Sequence, residues 1–148
     1  MEWFRRWSYL AIGGLLVAIS GCAEMESKAN KSLYDRLGGK GAISAVVDQF
    51  VANVAADSRI NGRFATTDIP RLKGHLVDQV CAATGGPCTY KGRDMKTTHA
   101  GMRITSGDFG ALVEDLVMAL DTFKVPGREK EELLNLLGPM KRDIVEVP

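Results

Sequence analysis

The chain contains two histidines, and both occur where the residue spacing predicts a helix. His75 shares one helix face with three aliphatic residues, Leu72, Leu76 and Val80. His99 follows Met95 by one helical turn. A zinc ion needs several cysteine, histidine or carboxylate ligands at short spacing, and neither histidine has such neighbours. A serine or cysteine nucleophile needs a histidine oriented by an acid, and the sequence shows no arrangement of that kind.

An imidazole in an apolar pocket between helices is a ligand suited to haem iron. A single histidine on an apolar helix face is more often a hydrogen-bonded core residue than a ligand. Two such histidines, on two apolar helices, favour the ligand interpretation. The pattern therefore predicts an iron site, with ordinary core packing as the alternative.

Helical periodicity extends along the chain after Ser32, and no segment shows the sustained alternation of a strand. The apolar face of the first long helix, predicted at about 42–56, consists of Ile43, Val46, Val47, Phe50 and Val54. A second helix is predicted to begin after Asp68, an N-cap, and to end before Gly85-Gly86-Pro87. The domain is therefore predicted to be all-α.

A loop at about 84–94 is predicted to connect the second helix to a short one, at about 95–100, which carries His99. Ser106 is expected to cap a long helix with the apolar face Phe109, Leu112, Val113, Leu116, Val117 and Leu120. Gly138-Pro139 is expected to interrupt or bend the last helix. The two histidines would thus lie on helices that a single loop connects.

The composition is that of one globular domain. Hydrophobic residues make up 45% of the 148-residue chain, which fits a packed core rather than a disordered segment. Nineteen basic and eighteen acidic residues give a net charge of +1. Charge therefore gives no indication of nucleic-acid binding or of an acidic partner.

The N-terminal residues have the features of a signal peptide. Arg5 and Arg6 precede an apolar run from Tyr9 to Ile19, which is short for a permanent membrane span. Ile19-Ser20-Gly21-Cys22 resembles the bacterial lipobox, in which the cysteine is acylated and becomes the first residue of the mature chain. The alternative is an uncleaved membrane anchor in which Cys22 occurs by chance.

The lipobox divides the chain into a signal peptide at 1–21, a polar tether at 22–31 and a domain at 32–148. The protein would then be an exported bacterial lipoprotein, anchored to a membrane and facing the periplasm or the cell exterior. That environment is oxidising, so Cys81 and Cys88 are candidates for a disulfide bond. Neither of them lies in a C-x-x-C-H motif, so covalent attachment of a c-type haem is not indicated.

Three segments combine glycine, aromatic and histidine residues in an ordered series. They are Leu33-Tyr34-Asp35-Arg36-Leu37-Gly38-Gly39; Arg71-Leu72-Lys73-Gly74 with Gly85-Gly86-Pro87 and Tyr90-x-Gly92-Arg93-x-Met95; and His99-Ala100-Gly101-Met102-x-Ile104. In this order they resemble the opening motif, the distal helix with its loop, and the proximal-histidine segment of truncated haemoglobins, group 1 (N-type). The resemblance covers about 32–146 and implies a two-over-two helical sandwich around one haem b.

The resemblance also implies roles for individual residues. His99 would be the proximal iron ligand, and Phe64 would pack against the haem face near its edge. Arg71 or Lys73 would pair with the haem propionates. The complete implied cofactor-binding set is Phe50, Phe64, Arg71, Leu72, Lys73, Leu76, Tyr90, Met95 and Ile104. For its apolar members the alternative is core packing, and for the two cations it is a solvated helix face.

The chain departs from this family at two distal positions. Oxygen-handling members usually have a tyrosine after the phenylalanine matched by Phe50, whereas this chain has Val51, and they often have glutamine where it has Leu76. Each replacement removes a hydrogen-bond donor to the bound oxygen molecule. The loss weakens oxygen binding by roughly 1–3 kcal/mol. Tight oxygen retention is therefore not expected. Enzymatic activity is expected to be at most a side activity of nitric oxide dioxygenase or peroxidase type.

His75 matches a position that, in some members, binds the iron as a second histidine. Two functions therefore stay open. Either the protein binds a diatomic gas, oxygen or nitric oxide, or it is a bis-histidyl haem protein for electron transfer or redox sensing, with a redox partner. A haem-free helical lipoprotein is a third alternative. Met140 stands where some members have a histidine that cross-links the haem, so that bond is not expected.

Overall fold

The computed structural model describes residues 31–147, and the predicted signal peptide, Cys22 and nearly all of the tether lie outside them. Its α-helices are α1 (Leu33–Arg36), α2 (Gly39–Ala56), α3 (Ile69–Ala83), α4 (Met95–His99), α5 (Ser106–Thr122), α6 (Gly127–Leu137) and α7 (Lys141–Ile144). Two 3₁₀ helices are Asn61–Phe64 and Gly138–Met140. Residues 31–147 contain no strand, only an isolated bridge between Thr105 and Val147, which confirms the all-α class. No helix within this range is long and apolar enough to cross a membrane.

Helix α2 begins at Gly39, a few residues before the predicted start. Gly38 and Gly39 have φ angles of 93° and 76°, which glycine adopts freely, and they turn the chain from α1 into α2. The Tyr34 hydroxyl accepts a hydrogen bond from the Lys40 amide at 3.0 Å, which satisfies one free donor at the start of the helix. The predicted apolar face supplies four core residues: Ile43, Val47, Phe50 and Val54.

The caps of α3 and α5 differ in how well the sequence predicted them. Helix α3 begins after Asp68, as predicted, and the Asp68 carboxylate accepts a hydrogen bond from the Arg71 amide at 3.1 Å. The predicted cap of α5 is wrong by one residue, because Thr105 rather than Ser106 is the N-cap. The Thr105 hydroxyl accepts from the Asp108 amide at 3.0 Å, and the Asp108 carboxylate accepts from the Thr105 amide at 2.8 Å. This reciprocal box needs an acidic residue three positions after the cap, which only Thr105 has.

Helix α2 packs against both α3 and α5. The buried residues of this main core are Ile43, Val47, Phe50, Val51, Val54, Ile60, Val77, Cys81, Ala111 and Ala119. A smaller cluster of Leu33, Leu120 and Leu133 joins α1, α5 and α6. The second 3₁₀ helix interrupts the last helix at Gly138-Pro139, as predicted, and α7 beyond it packs against α4. The short helix with His99 is thus supported by the C-terminal part of the domain.

The loop between the two histidine-bearing helices is closed by a disulfide bond. Cys81 and Cys88 are joined with an S–S distance of 2.04 Å, and Cys81 is fully buried at the end of α3. Gly86 lies so close to this bond that an added Cβ would stand 2.7 Å from the Cys81 sulfur and 2.4 Å from Tyr34 Cδ2. The loop is therefore held both covalently and by packing.

Candidate functional site

His99 is the last residue of α4, a five-residue helix that begins after the N-cap Asp94. The His99 Nδ1 atom lies 2.8 Å from the carbonyl oxygen of Met95, one turn earlier. A carbonyl can only accept, so Nδ1 carries a proton and donates it. This bond fixes the ring orientation and leaves Nε2 as the nitrogen that can bind a metal. The half-buried imidazole therefore has the hydrogen bonding that an iron ligand requires.

Part of the predicted apolar lining is brought together by the fold. Phe50, Phe64 and Leu76 belong to one apolar cluster, which also contains Val51. Phe50 and Val51 are buried, whereas Phe64 and Leu76 are only half-buried. Large apolar side chains left partly open at the edge of a core suit contact with an apolar ligand.

Two further members of this cluster were not assigned to the site from the sequence. Leu112 and Leu116, both on α5, pack against the same core and are half-buried. Their spacing of four residues predicts that both lie on the apolar face of α5, and this is the one indication of them that the sequence offers. Which side of that face meets a ligand depends on how α5 packs on α2.

His75 is half-buried on α3, and its neighbours are more polar than its helix face predicts. The Nε2 atom lies 3.5 Å from Arg71 Nε. The ring also meets Tyr90 edge-on, with the ring centroids 6.1 Å apart. A 3.5 Å contact is at the long limit of hydrogen bonding, so a rotation of the side chain would break it at small cost.

The two cations expected to pair with propionates have different contacts. Lys73 Nζ pairs with the Asp48 carboxylate of α2 at 2.9 Å, so its charge is already matched by a protein group. Arg71 is exposed and forms no ion pair with a carboxylate in residues 31–147. Arg71 is therefore the better candidate of the two for an anionic group at the site.

The remaining predicted residues lie on α3 or on the segments that flank α4. The Tyr90 hydroxyl donates to the Arg93 carbonyl at 2.8 Å, and burial together with the Asp94 charge raises the pKa of the phenol. Ile104 is half-buried, and its carbonyl oxygen accepts hydrogen bonds from the C-terminal segment. Leu72 is half-buried on α3. Tyr90 and Ile104 thus lie before and after the His99 helix in the chain, and Leu72 lies on the His75 helix.

Gln79 is a site neighbour that the sequence interpretation missed. Its amide Nε2 lies 3.6 Å from the Met95 sulfur and 3.5 Å from the Met140 sulfur, so it connects α3, α4 and the second 3₁₀ helix. Gln79 follows His75 by four residues, and this spacing indicates that both lie on one face of α3. No group of three or more histidine, cysteine, aspartate or glutamate side chains in the described part of the chain could hold a metal ion.

Sequence comparisons connect this arrangement with known proteins. The family model described as bacterial-like globin matches residues 32–146. The group 1 truncated hemoglobin GlbN of Mycolicibacterium paratuberculosis is 40% identical over 113 residues, which cover 76% of this chain and 83% of that protein. The GlbN of a Nostoc species is 34% identical over 114 residues, covering 77% of this chain and 97% of the relative.

Solved structures give the same result for the fold. The truncated hemoglobin of Tetrahymena pyriformis in its Fe(III) form has a TM-score of 0.75 at 30% identity, covering 78% of this chain and 98% of that one. The 2/2 hemoglobin of Synechococcus sp. PCC 7002, solved in the cyanomet state with covalently attached heme, has a TM-score of 0.74 at 31% identity and the same coverage. These similarities confirm the predicted two-over-two helical fold.

Proposed function

Since the chain belongs to the bacterial-like globin family, whose cofactor is haem b, we propose that it is a truncated haemoglobin that binds a diatomic gas, oxygen or nitric oxide. His99 supplies the proximal iron ligand in this proposal. The observation that carries it is the hydrogen bond from His99 Nδ1 to the Met95 carbonyl. That bond leaves Nε2 free for iron, in the segment whose motif resembles the family's proximal-histidine segment.

The residues of the site fit haem b. The haem ring is flat and apolar, and the half-buried side chains that can cover it are Phe64, Leu76, Leu112 and Leu116. When bound, haem would supply an iron centre to which a diatomic gas can bind. The chain contributes the orientation of the His99 ring, the apolar cover and a cation, Arg71, for a propionate.

Val51 and Leu76 make the distal side apolar. Val51 is buried in the cluster that contains Leu76, and neither side chain has a hydrogen-bond donor. Oxygen polarises on binding and gains from such donors, whereas nitric oxide gains less. Each missing charge-assisted bond weakens oxygen retention by about 1–3 kcal/mol. We therefore expect faster oxygen release than in relatives with tyrosine and glutamine at these positions.

Electron transfer or redox sensing is the second candidate function, and the position of His75 favours it. The imidazole is half-buried, is held by Arg71 and Tyr90 only loosely, and has no carboxylate partner among residues 31–147. A second histidine ligand would occupy the gas position and favour low-spin iron. The protein would then exchange electrons with a redox partner instead of binding a gas.

Absorption spectra of histidine variants test both functions. We expect His99→Gly to lose ordered haem binding and added imidazole to restore it, because the free ligand replaces the missing side chain. The matched control, His75→Gly, should keep its haem. Unchanged haem affinity in His99→Gly would refute the proposal.

The spin state separates the two candidate functions. A wild-type protein that is low-spin in the ferric and deoxy-ferrous states, and that becomes high-spin in His75→Ala, would support the electron-transfer candidate. A high-spin wild type that His75→Ala leaves unchanged would support gas binding and eliminate His75 as a ligand.

We also propose that the protein is exported and held at a membrane by lipid on Cys22. The small residues before Cys22 and the apolar run after Arg5 and Arg6 support this, and the Cys81–Cys88 bond suits an oxidising compartment. Labelled palmitate should enter the wild type but not Cys22→Ala, and mass spectrometry should find Cys22 as the first residue of the wild type only. A wild type that takes up no palmitate and keeps residues 1–21 would support the uncleaved anchor instead.

A further inference from the structure

The turn that follows His99 has an unusual backbone. Ala100 ends α4 with a ψ angle of 124°, Gly101 has a φ angle of 81°, and Arg103 has a φ angle of 53°. A positive φ at Arg103 costs free energy, because its Cβ crowds the neighbouring carbonyl. Contacts from other parts of the fold must therefore hold this turn, and the position of His99 depends on them.

The Glu146 carboxylate supplies two of these contacts. Oε1 accepts a hydrogen bond from the Gly101 amide at 2.7 Å, and Oε2 accepts one from the Arg103 amide at 2.5 Å. One side chain thus bridges the two residues with positive φ. These two bonds hold the pKa of Glu146 below its usual range, and the charge of Arg103 lowers it further.

The rest of the turn is held from two sides. The amides of Glu146 and Val147 donate to the Ile104 carbonyl at 2.9 and 3.1 Å. On the other side, the Arg63 guanidinium donates to the Met102 carbonyl at 2.8 Å. Arg63 precedes Phe64 on the first 3₁₀ helix. The turn therefore joins the C-terminal segment to the element that carries an apolar residue of the site.

We propose that Glu146 is a positioning residue of the haem site, whose carboxylate holds the turn after His99 and thereby sets the position of the imidazole. This inference rests on the proposed role of His99 as the iron ligand. The carboxylate restrains the backbone of residues 100–103. The His99 imidazole, which adjoins this backbone, therefore keeps its position. Its negative charge near His99 also favours ferric over ferrous iron.

Glu146 can be tested apart from the C-terminal segment because its side chain is exposed. A substitution there creates no cavity, and the backbone hydrogen bonds of 146 and 147 with Ile104 stay in place. A substitution of Glu146 then changes the two acceptor oxygens and the charge of its side chain.

The experiment compares two variants with a matched control in the haem-loaded protein. Glu146→Gln keeps the size but removes the charge and one acceptor, whereas Glu146→Asp keeps the charge but is too short to bridge both amides. The control, Glu131→Gln, removes the same charge from an exposed position of α6 that has no ion pair in the described part of the chain. The measurements are hydrogen exchange of the Gly101 and Arg103 amides in the ferrous carbon monoxide form, the rate of haem transfer to a scavenging apoprotein, and the midpoint potential.

We expect both Glu146 variants to exchange these amides faster and to lose haem about tenfold faster, the effect of about one charge-assisted hydrogen bond. The midpoint potential should rise in Glu146→Gln and stay near the wild-type value in Glu146→Asp, because only the first variant loses the charge. Faster amide exchange with unchanged haem loss and potential would show that Glu146 only anchors the C-terminal segment. Haem binding retained without His99 would instead overturn the proposed function, and the His99 variant measures that separately.

Discussion

The ring of Tyr90 lies edge-on to the imidazole of His75, with the two centroids 6.1 Å apart and the planes at 72°. The Tyr90 hydroxyl donates to the Arg93 carbonyl at 2.8 Å, which fixes the phenol within its loop. The same loop is tied to α3 by the bond between Cys81 and Cys88. The freedom of the His75 side chain to change its orientation therefore depends on a loop outside its own helix.

Removal of the Tyr90 ring should release His75. We expect Tyr90→Ala to raise the ratio of low-spin to high-spin ferric protein by about 2–10-fold, since an aromatic pair contributes about 0.5–1.5 kcal/mol. Absorption spectra measure this ratio. Tyr90→Phe is the matched control, because it keeps the edge contact and loses only the hydroxyl. A ratio in Tyr90→Ala equal to the wild type would contradict the prediction, and so would an increase that persists when His75 is also replaced.

Reduction of the Cys81–Cys88 bond should lower the free energy of unfolding by about 2–3 kcal/mol, the chain-entropy value for a loop this small. Urea unfolding with and without a dithiol reductant measures the difference. The double variant Cys81→Ala, Cys88→Ala should not respond to the reductant. If it does respond, the reductant acts somewhere other than at this bond.

A side chain at Gly86 should destabilise the domain. A Cβ there would stand 2.4 Å from Tyr34 Cδ2 and 2.7 Å from the Cys81 sulfur, so the loop or the Tyr34 ring must move. We expect Gly86→Ala to cost about 1–3 kcal/mol in thermal or urea unfolding, the usual cost of overpacking. At Gly107 an added Cβ meets only the Thr105 hydroxyl oxygen, at 3.6 Å, so Gly107→Ala should stay within about 0.5 kcal/mol of the wild type. Equal stabilities of the two variants would show that the Gly86 site relaxes freely.

Asp115 should make the stability depend on pH. It is 1% exposed, and its Oδ2 has no hydrogen-bond partner in the described part of the chain. Burial raises the pKa of this carboxyl; the charges of Asp57 and Glu114 raise it further, and Arg59 opposes them. The pKa of Asp115 is higher in the folded state than in the unfolded state. At pH values between these two pKa values, the folded state therefore binds more protons than the unfolded state does. Stability therefore falls as the pH rises through this interval.

The matching variant is Asp115→Asn, which has the same shape and no charge. We expect it to be more stable than the wild type at pH 7 and to lose this advantage near pH 3, where the wild-type carboxyl is protonated. Urea unfolding at the two pH values measures both differences. A wild-type advantage at pH 7 would mean that the ionised carboxylate is stabilised by its surroundings, contrary to the prediction.

Most helices could be predicted because the evidence for them is local. The face of α2, the Asp68 cap of α3 and the interruption at Gly138-Pro139 depend on residues within a few positions of one another. The error at the start of α5 was also local. Ser106 has the residue type of an N-cap, but Asp108, which completes the capping box, pairs with Thr105 instead.

The site was predicted less completely. His99 followed from its residue type, its helical setting and the resemblance of its segment to a family motif. The contacts of Lys73 with Asp48 and of Gln79 with Met140 did not follow, because they join different elements. Glu146 was missed for the same reason: its contacts with Gly101 and Arg103 span 45 and 43 positions of the chain.

The sequence by itself determined the all-α class, the two helices that carry His75 and His99, and the family to which the chain is similar. These features follow from hydrogen bonds and side-chain spacings within one or two helical turns, which any local window of the chain contains. Only the tertiary structure decided that the Tyr90 ring contacts His75 and that Glu146 accepts hydrogen bonds from the turn after His99. The physical reason is that such contacts exist only after the chain has brought distant segments together, and no local pattern records which segments meet.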